Sequence, residues 1–190
     1  MQRIKPHLLL ASKSPRRKQL LNELGFDFDV VLQDVVEDFP EDLPKAQVPE
    51  FLAQKKAQAV RGHLEKGKVI LASDTIVLMG DTIYHKPKDY EDAVRILSEL
   101  SGKVHQVITG VCLLSLEKEV VFSDVAKVHF APISLEEIDF YVKKFQPYDK
   151  AGAYAIQEWI GLAKIQKIEG AYNSIVGLPT QKVYDALSNF

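Results

Sequence analysis

Arg16, Arg17 and Lys18 follow Ser12-Lys13-Ser14-Pro15, where a short apolar run gives way to a helical pattern. Ser14 suits an N-cap and Pro15 the first helical position, so the three cations fall in the first turn of the helix. The helix dipole disfavours positive charge there by about 0.3–1 kcal/mol, and a chain tuned for stability alone would place Asp or Glu instead. Backbone N–H groups, the hydroxyls of Ser12 and Ser14 and the guanidinium forks of Arg16 and Arg17 together make a cradle for a phosphate-type anion. The competing reading is a solvated basic turn. Asp74 directly follows Val69-Ile70-Leu71-Ala72-Ser73, a run apolar enough for a central strand covered on both faces. That places it at a strand's carboxyl edge, where open α/β sheets bind their ligands. A carboxylate there can hold a divalent ion or orient water, or it can simply begin an Asx-type turn. Lys56 is the third such residue. At about 100° per residue it lies within the apolar arc of Leu52, Ala53, Ala59 and Val60, so it needs a partner or must snorkel to water.

Other patterns carry less. Gly62 to Lys68 reads G-x-x-x-x-G-K, but Val69 stands where a P-loop needs Ser or Thr, and the segment ends a helix instead of joining strand to helix. His7, His63, His85, His105 and His129 are dispersed without metal-ligand spacing, so no zinc site is expected. Cys112, among Val111, Leu113 and Leu114, reads as a small buried hydrophobe. Glu37, in an acidic loop, and Lys86, before Pro87, carry no signal of their own.

The elements that must position these residues alternate between strand and helix, which predicts an α/β fold with a mixed sheet. Strands are expected at 7–12, 26–32 and 69–73, a hairpin at 75–85, a long hairpin at 104–130 and an apolar strand around 162–168. Helices are expected at 14–24, from 48 to about 66, at 90–100, from the Ser134 capping box, and from Pro179 onward. Residues 170–177 read as a Gly-rich turn region, and no linker separates independent domains.

The chain has 190 residues, 46% hydrophobic and 26% charged, with 24 Lys plus Arg against 26 Asp plus Glu and a net charge of −2. That balance excludes disordered, collagen-like and disulfide-rich classes and argues against nucleic acid or an anionic membrane as partner. Cys112 is the one cysteine, no apolar stretch approaches the ~20 residues of a spanning helix, and the N-terminus lacks a leader pattern. A cytoplasmic protein of one domain, 1–190, or of two merged lobes is expected.

Taken in order, several segments resemble the Maf family of nucleoside triphosphate pyrophosphatases. They are Leu10-Ala11-Ser12-Lys13-Ser14-Pro15-Arg16-Arg17, Ala53-Gln54-Lys55-Lys56-Ala57, Ser73-Asp74-Thr75-Ile76-Val77 and Lys86-Pro87. With them go Leu100 to Val111, Tyr148 to Gln157 and Val176-Gly177-Leu178-Pro179. The resemblance covers almost the whole chain. It implies a mixed twisted sheet with flanking helices, like that of inosine triphosphatases, with a cleft between two merged lobes. It also implies hydrolysis of a nucleoside triphosphate to the monophosphate and pyrophosphate with Mg²⁺ or Mn²⁺.

Carried over by position, Asp74 resembles the general base and, with Glu37, the metal site. Ser12, Arg17, Lys56 and Lys86 resemble the phosphate-binding residues, and Arg16, Thr75 and Gln157 those that set base specificity. The segment Lys150-Ala151-Gly152-Ala153-Tyr154 through Gln157 resembles the branch acting on dTTP and UTP. A homodimer is implied as well. The alternative from another class is a nucleotide-binding regulator of septum formation with little turnover.

Overall fold

Leu8, Leu9 and Leu10 make β1 (His7–Leu10) a buried strand, paired in parallel with β2 (Phe28–Val30) on one side and β3 (Lys68–Met79) on the other. The structure, a computed structural model, describes residues 6–190. The stretch Met1 to Lys5, part of the segment read as lacking a leader, lies outside the described residues. Seven strands form one sheet in the order β2-β1-β3-β5-β6-β7, with β4 (Thr82–Tyr84) antiparallel to the far end of β3. β5 is Val104–Leu114, β6 is Glu119–Phe130, and β7 (Ile165–Glu169) runs antiparallel to β6. The sheet is therefore mixed, as the alternation of elements predicts.

The helices are α1 (Pro15–Glu23), α2 (Val48–Ala59), α3 (Tyr90–Leu100), α4 (Leu135–Phe145), α5 (Trp159–Lys164), α6 (Tyr172–Val176) and α7 (Thr180–Leu187). Three start signals act as their residue types dictate. Ser14 caps α1, Asp89 caps α3, and Ser134 with Glu137 forms a reciprocal capping box on α4. In α3 the buried residues Ala93, Ile96, Leu97 and Leu100 follow the i, i+3, i+4, i+7 stripe of a one-faced helix.

The chain divides into two compact units. One takes the chain up to Asp74 with Thr109–Asp124 and Gly177–Phe190; the other takes Thr75–Ile108 and Val125–Val176. The core of the first sets Leu9, Ile70, Ala72 and Cys112 against Ala53, Ala57 and Val60 of α2. Gly110 in β5 lets α2 sit down on the sheet: a Cβ there would lie 2.3 Å from the Pro49 carbonyl carbon. The core of the second gathers α3, α4 and the rings of Phe130, Tyr141 and Tyr154.

Four expectations are corrected. Asp74 is not at the end of its strand, because β3 runs unbroken from Lys68 to Met79. The strand that stops is β1, whose last pairing is Leu10 with Leu71. β3 continues because β5 neighbours it in the sheet and β4 pairs with its last residues, Val77 to Met79. α2 ends at Ala59 and tightens into a 3₁₀ turn at Arg61–His63, since β-branched Val60 leaves helical geometry and Gly62 is a poor helix former. Residues 162–164 belong to α5 and only Ile165–Glu169 is strand, because short apolar runs do not separate a buried strand from one helical turn. The 170–177 segment holds the single turn of α6.

Candidate active site

Period two along β3 decides which way Asp74 faces. Ile70 and Ala72 pack under α2, so Asp74, two residues further, belongs to the same face. On α2, Lys56 shares a stripe with Ala53, Ala57 and Val60. The two side chains meet: Lys56 Nζ donates to Asp74 Oδ1 at 2.5 Å, with both largely buried. Glu37, from the exposed acidic loop, brings Oε1 to 2.6 Å of the same ammonium. The lysine that sequence leaves between pairing and snorkelling is thus paired with two carboxylates.

Arg17 comes from the first turn of α1. Its Nε donates to the Gly177 carbonyl at 2.8 Å and its Nη1 to Ser12 Oγ at 3.2 Å. Burial lowers the pKa of its guanidinium, and the nearby Arg16 charge acts in the same direction; Asp74 and Glu37 oppose the shift. The serines differ from the open cradle the sequence suggests. Ser12 Oγ accepts from the Ser14 N–H at 3.2 Å, and Ser14 Oγ accepts from the Arg17 N–H at 3.4 Å. Both hydroxyls therefore shape the turn and fix Arg17, and the Arg17 N–H is used by the cap.

Ser12, Arg17, Glu37, Lys56 and Asp74 all lie in the first unit, and the contacts above join them. Arg16 is half-buried in the first turn of α1. Thr75, Lys86 and Gln157 belong to the second unit. Thr75 is half-buried in β3 next to Asp74, Lys86 is exposed just after β4, and Gln157 is exposed just before α5.

Sequence reasoning missed Ser73 and the backbone of Gly177. Ser73 Oγ donates to the Gly177 carbonyl at 3.3 Å, the same oxygen that receives Arg17, so one carbonyl ties the C-terminal segment to β3 and α1. A hydroxyl buried in an apolar strand beside Asp74 was the available signal for Ser73. Gly177, at φ 124°, uses a conformation that side chains rarely adopt.

The carboxylates able to hold a divalent cation here are Glu37 and Asp74. Their oxygens already converge on one positive charge, the Lys56 ammonium, and oxygen donors suit a hard cation. Among the described residues no group of three or more His, Cys, Asp or Glu has the arrangement of a self-contained metal site. A pair of carboxylates fits a hard cation that takes its remaining ligands from water and substrate phosphates.

The profile of the Maf-like protein family matches residues 7–190. A dTTP/UTP pyrophosphatase of Bacteroides thetaiotaomicron is 46% identical over 184 residues, covering 96% of this chain and 95% of that protein. Proteins of the same name from Porphyromonas gingivalis and Flavobacterium psychrophilum are 44% and 43% identical, each covering 96% of this chain and 94% and 93% of theirs.

Proposed function

Because this chain belongs to the Maf-like family, we propose that it is a nucleoside triphosphate pyrophosphatase that hydrolyses dTTP and UTP to the monophosphate and pyrophosphate. The observation that carries the reading is the half-buried cluster of Arg17, Lys56, Glu37 and Asp74, set where β1 stops and β3 continues. Cations and carboxylates held there at close range suit a polyanionic substrate that needs both charge balance and an activated water.

In this reading a water oxygen bonds to the α-phosphorus, the bond from that phosphorus to the bridging oxygen breaks, and pyrophosphate leaves. Asp74 takes the proton of the attacking water at its carboxylate. Lys56 fixes that carboxylate and, with Arg17 and Lys86, balances the charge of the phosphate tail. Ser12 holds the Arg17 guanidinium. Mg²⁺ or Mn²⁺ held by Glu37 and Asp74 would supply Lewis-acid charge neutralisation on the phosphates. Arg16, Thr75 and Gln157 contact the base, the amide of Gln157 and the hydroxyl of Thr75 matching the polar edge of a pyrimidine. A cytoplasmic homodimer belongs to the same proposal.

Product identification tests it. Purified protein with dTTP or UTP and Mn²⁺ is expected to release pyrophosphate and the monophosphate. Orthophosphate in its place would show cleavage at the γ position and overturn the reading. Tight dTTP binding without any product would favour the regulator.

A further inference from the structure

Residues 150–158 form an irregular segment whose backbone is unusually constrained. Gly152 and Ala153 both adopt positive φ, 70° and 59°. For Ala153 that is a strained conformation, which persists only where the surroundings enforce it. At Gly152 a Cβ would approach the Val77 side chain to 2.7 Å, so the close approach requires glycine. Of residues 150–158, only Gln157 is exposed.

The segment around Gln157 is held by a turn in which the Glu158 N–H donates to the Ala155 carbonyl at 3.1 Å, and by one side-chain hydroxyl. Tyr141, fully buried on α4, accepts the Ala155 N–H at 3.1 Å and donates its own proton to Glu158 Oε2. The two residues it grips lie two before and one after Gln157. The other Glu158 oxygen, Oε1, is 3.4 Å from Lys150 Nζ, itself largely buried and paired with Asp149 at 2.8 Å. Burial and the neighbouring Glu158 carboxylate push the phenol pKa well up, so the hydroxyl keeps its proton as a donor.

We propose that Tyr141 is a specificity-determining positioning residue: by clamping Ala155 and Glu158 it sets the backbone from which Gln157 reaches the base of the substrate. This rests on the reading of Gln157 as a base-contacting side chain. Tyr141 touches no substrate in this scheme and acts only through the segment it holds.

The test compares Tyr141→Phe, Gln157→Ala and the double variant in kcat/KM for dTTP and for GTP. Tyr141→Phe keeps the ring and its packing and removes only the hydroxyl. It is expected to lower the dTTP to GTP ratio about tenfold or more through KM for dTTP, as small displacements of positioning groups do, with GTP hydrolysis unchanged. The double variant should match Gln157→Ala alone, because the clamp has nothing left to position. If Gln157→Ala collapses the ratio while folded Tyr141→Phe leaves it intact, or if the two losses add, the clamp is refuted and the reading of Gln157 stands. If Gln157→Ala leaves the ratio unchanged, that reading fails and the clamp falls with it. Should Tyr141→Phe not fold, Glu158→Ala, which removes the other end of the clamp at a half-buried site, is expected to lower the ratio in the same direction, and an unchanged ratio there refutes the clamp.

Discussion

In the first unit Lys56 lies between Glu37 and Asp74 with Arg17 nearby, whereas in the second three rings with polar atoms, His105, Tyr154 and Tyr141, are buried. His105 Nε2 meets the Tyr154 hydroxyl at 2.8 Å, and both rings pack edge-on against Phe130. His105 Nδ1 is buried without a hydrogen-bond partner, and burial chiefly, with His129 adding to it, lowers the ring's pKa from 6.5 to about 4. Ion pairs that keep one exposed member, as Glu37 does, can exchange a protein partner for a ligand. The buried Tyr141 hydroxyl, held between the Ala155 N–H and the Glu158 carboxylate, instead fixes backbone. The first arrangement suits chemistry and the second suits aim.

The sharpest way to break that division is Asp74→Asn, which keeps the side-chain shape and removes the charge. Turnover of dTTP is expected to fall by about 10² or more, in line with typical general-base contributions, while thermal unfolding remains cooperative. Initial rates at saturating substrate check this, and full turnover in the variant would remove Asp74 from the chemistry.

The second unit should reveal itself in pH dependence of stability rather than in rate. Below pH 6.5 the unfolded chain protonates His105, while the native chain resists down to about 4. The unfolded state therefore binds more protons in that window, and stability is lost as pH falls through it, by up to about 3 kcal/mol. Urea titrations from pH 7 to 4 should show this loss, and His105→Gln should flatten it. An unchanged slope would show that His105 is not the buried neutral group.

Arg17→Lys probes the fixing role inside the first unit. A lysine cannot reach both the Gly177 carbonyl and Ser12 Oγ with the geometry of the guanidinium fork. Stability should drop by about 1–2 kcal/mol, the worth of one or two hydrogen bonds, and KM for dTTP should rise. Unaltered denaturation midpoint and KM would reduce Arg17 to a surface charge. The smallest effect is expected at Cys112, buried beneath α2, where burial and Glu119 push the thiol up to about 12. Iodoacetamide should leave the native enzyme unlabelled and fully active, and rapid labelling by mass spectrometry would contradict the packing described for that core.

Much of this was legible in the chain because the signals are local. Ser14-Pro15 and the Ser134 to Glu137 box act within a single turn, and α3 carries its buried stripe in its own spacing. Arg17 and Lys56 were conspicuous because each sits where stability alone would not put it, and Asp74 because it directly follows an apolar strand run. Glu37 and Lys86 were not, since a charged residue in an exposed loop looks the same whether or not it has a task. The resemblance to a family supplied those two, along with Gln157.

What the sequence determined by itself was the alternation of strand and helix, the caps, and the presence of charges in unfavourable places, all set by interactions within a few residues. Tertiary structure decided that β3 runs on through Asp74 while β1 stops opposite Leu71, because that depends on which strands lie beside it. It decided that Ser12 and Ser14 face inward onto their own turn, and that one Gly177 carbonyl receives both Ser73 and Arg17 across more than 100 residues of chain. It also decided that a tyrosine on α4 holds Ala155 and Glu158. Such contacts are selected by the packing of whole elements, and no local periodicity encodes the partner a buried hydroxyl or guanidinium will find.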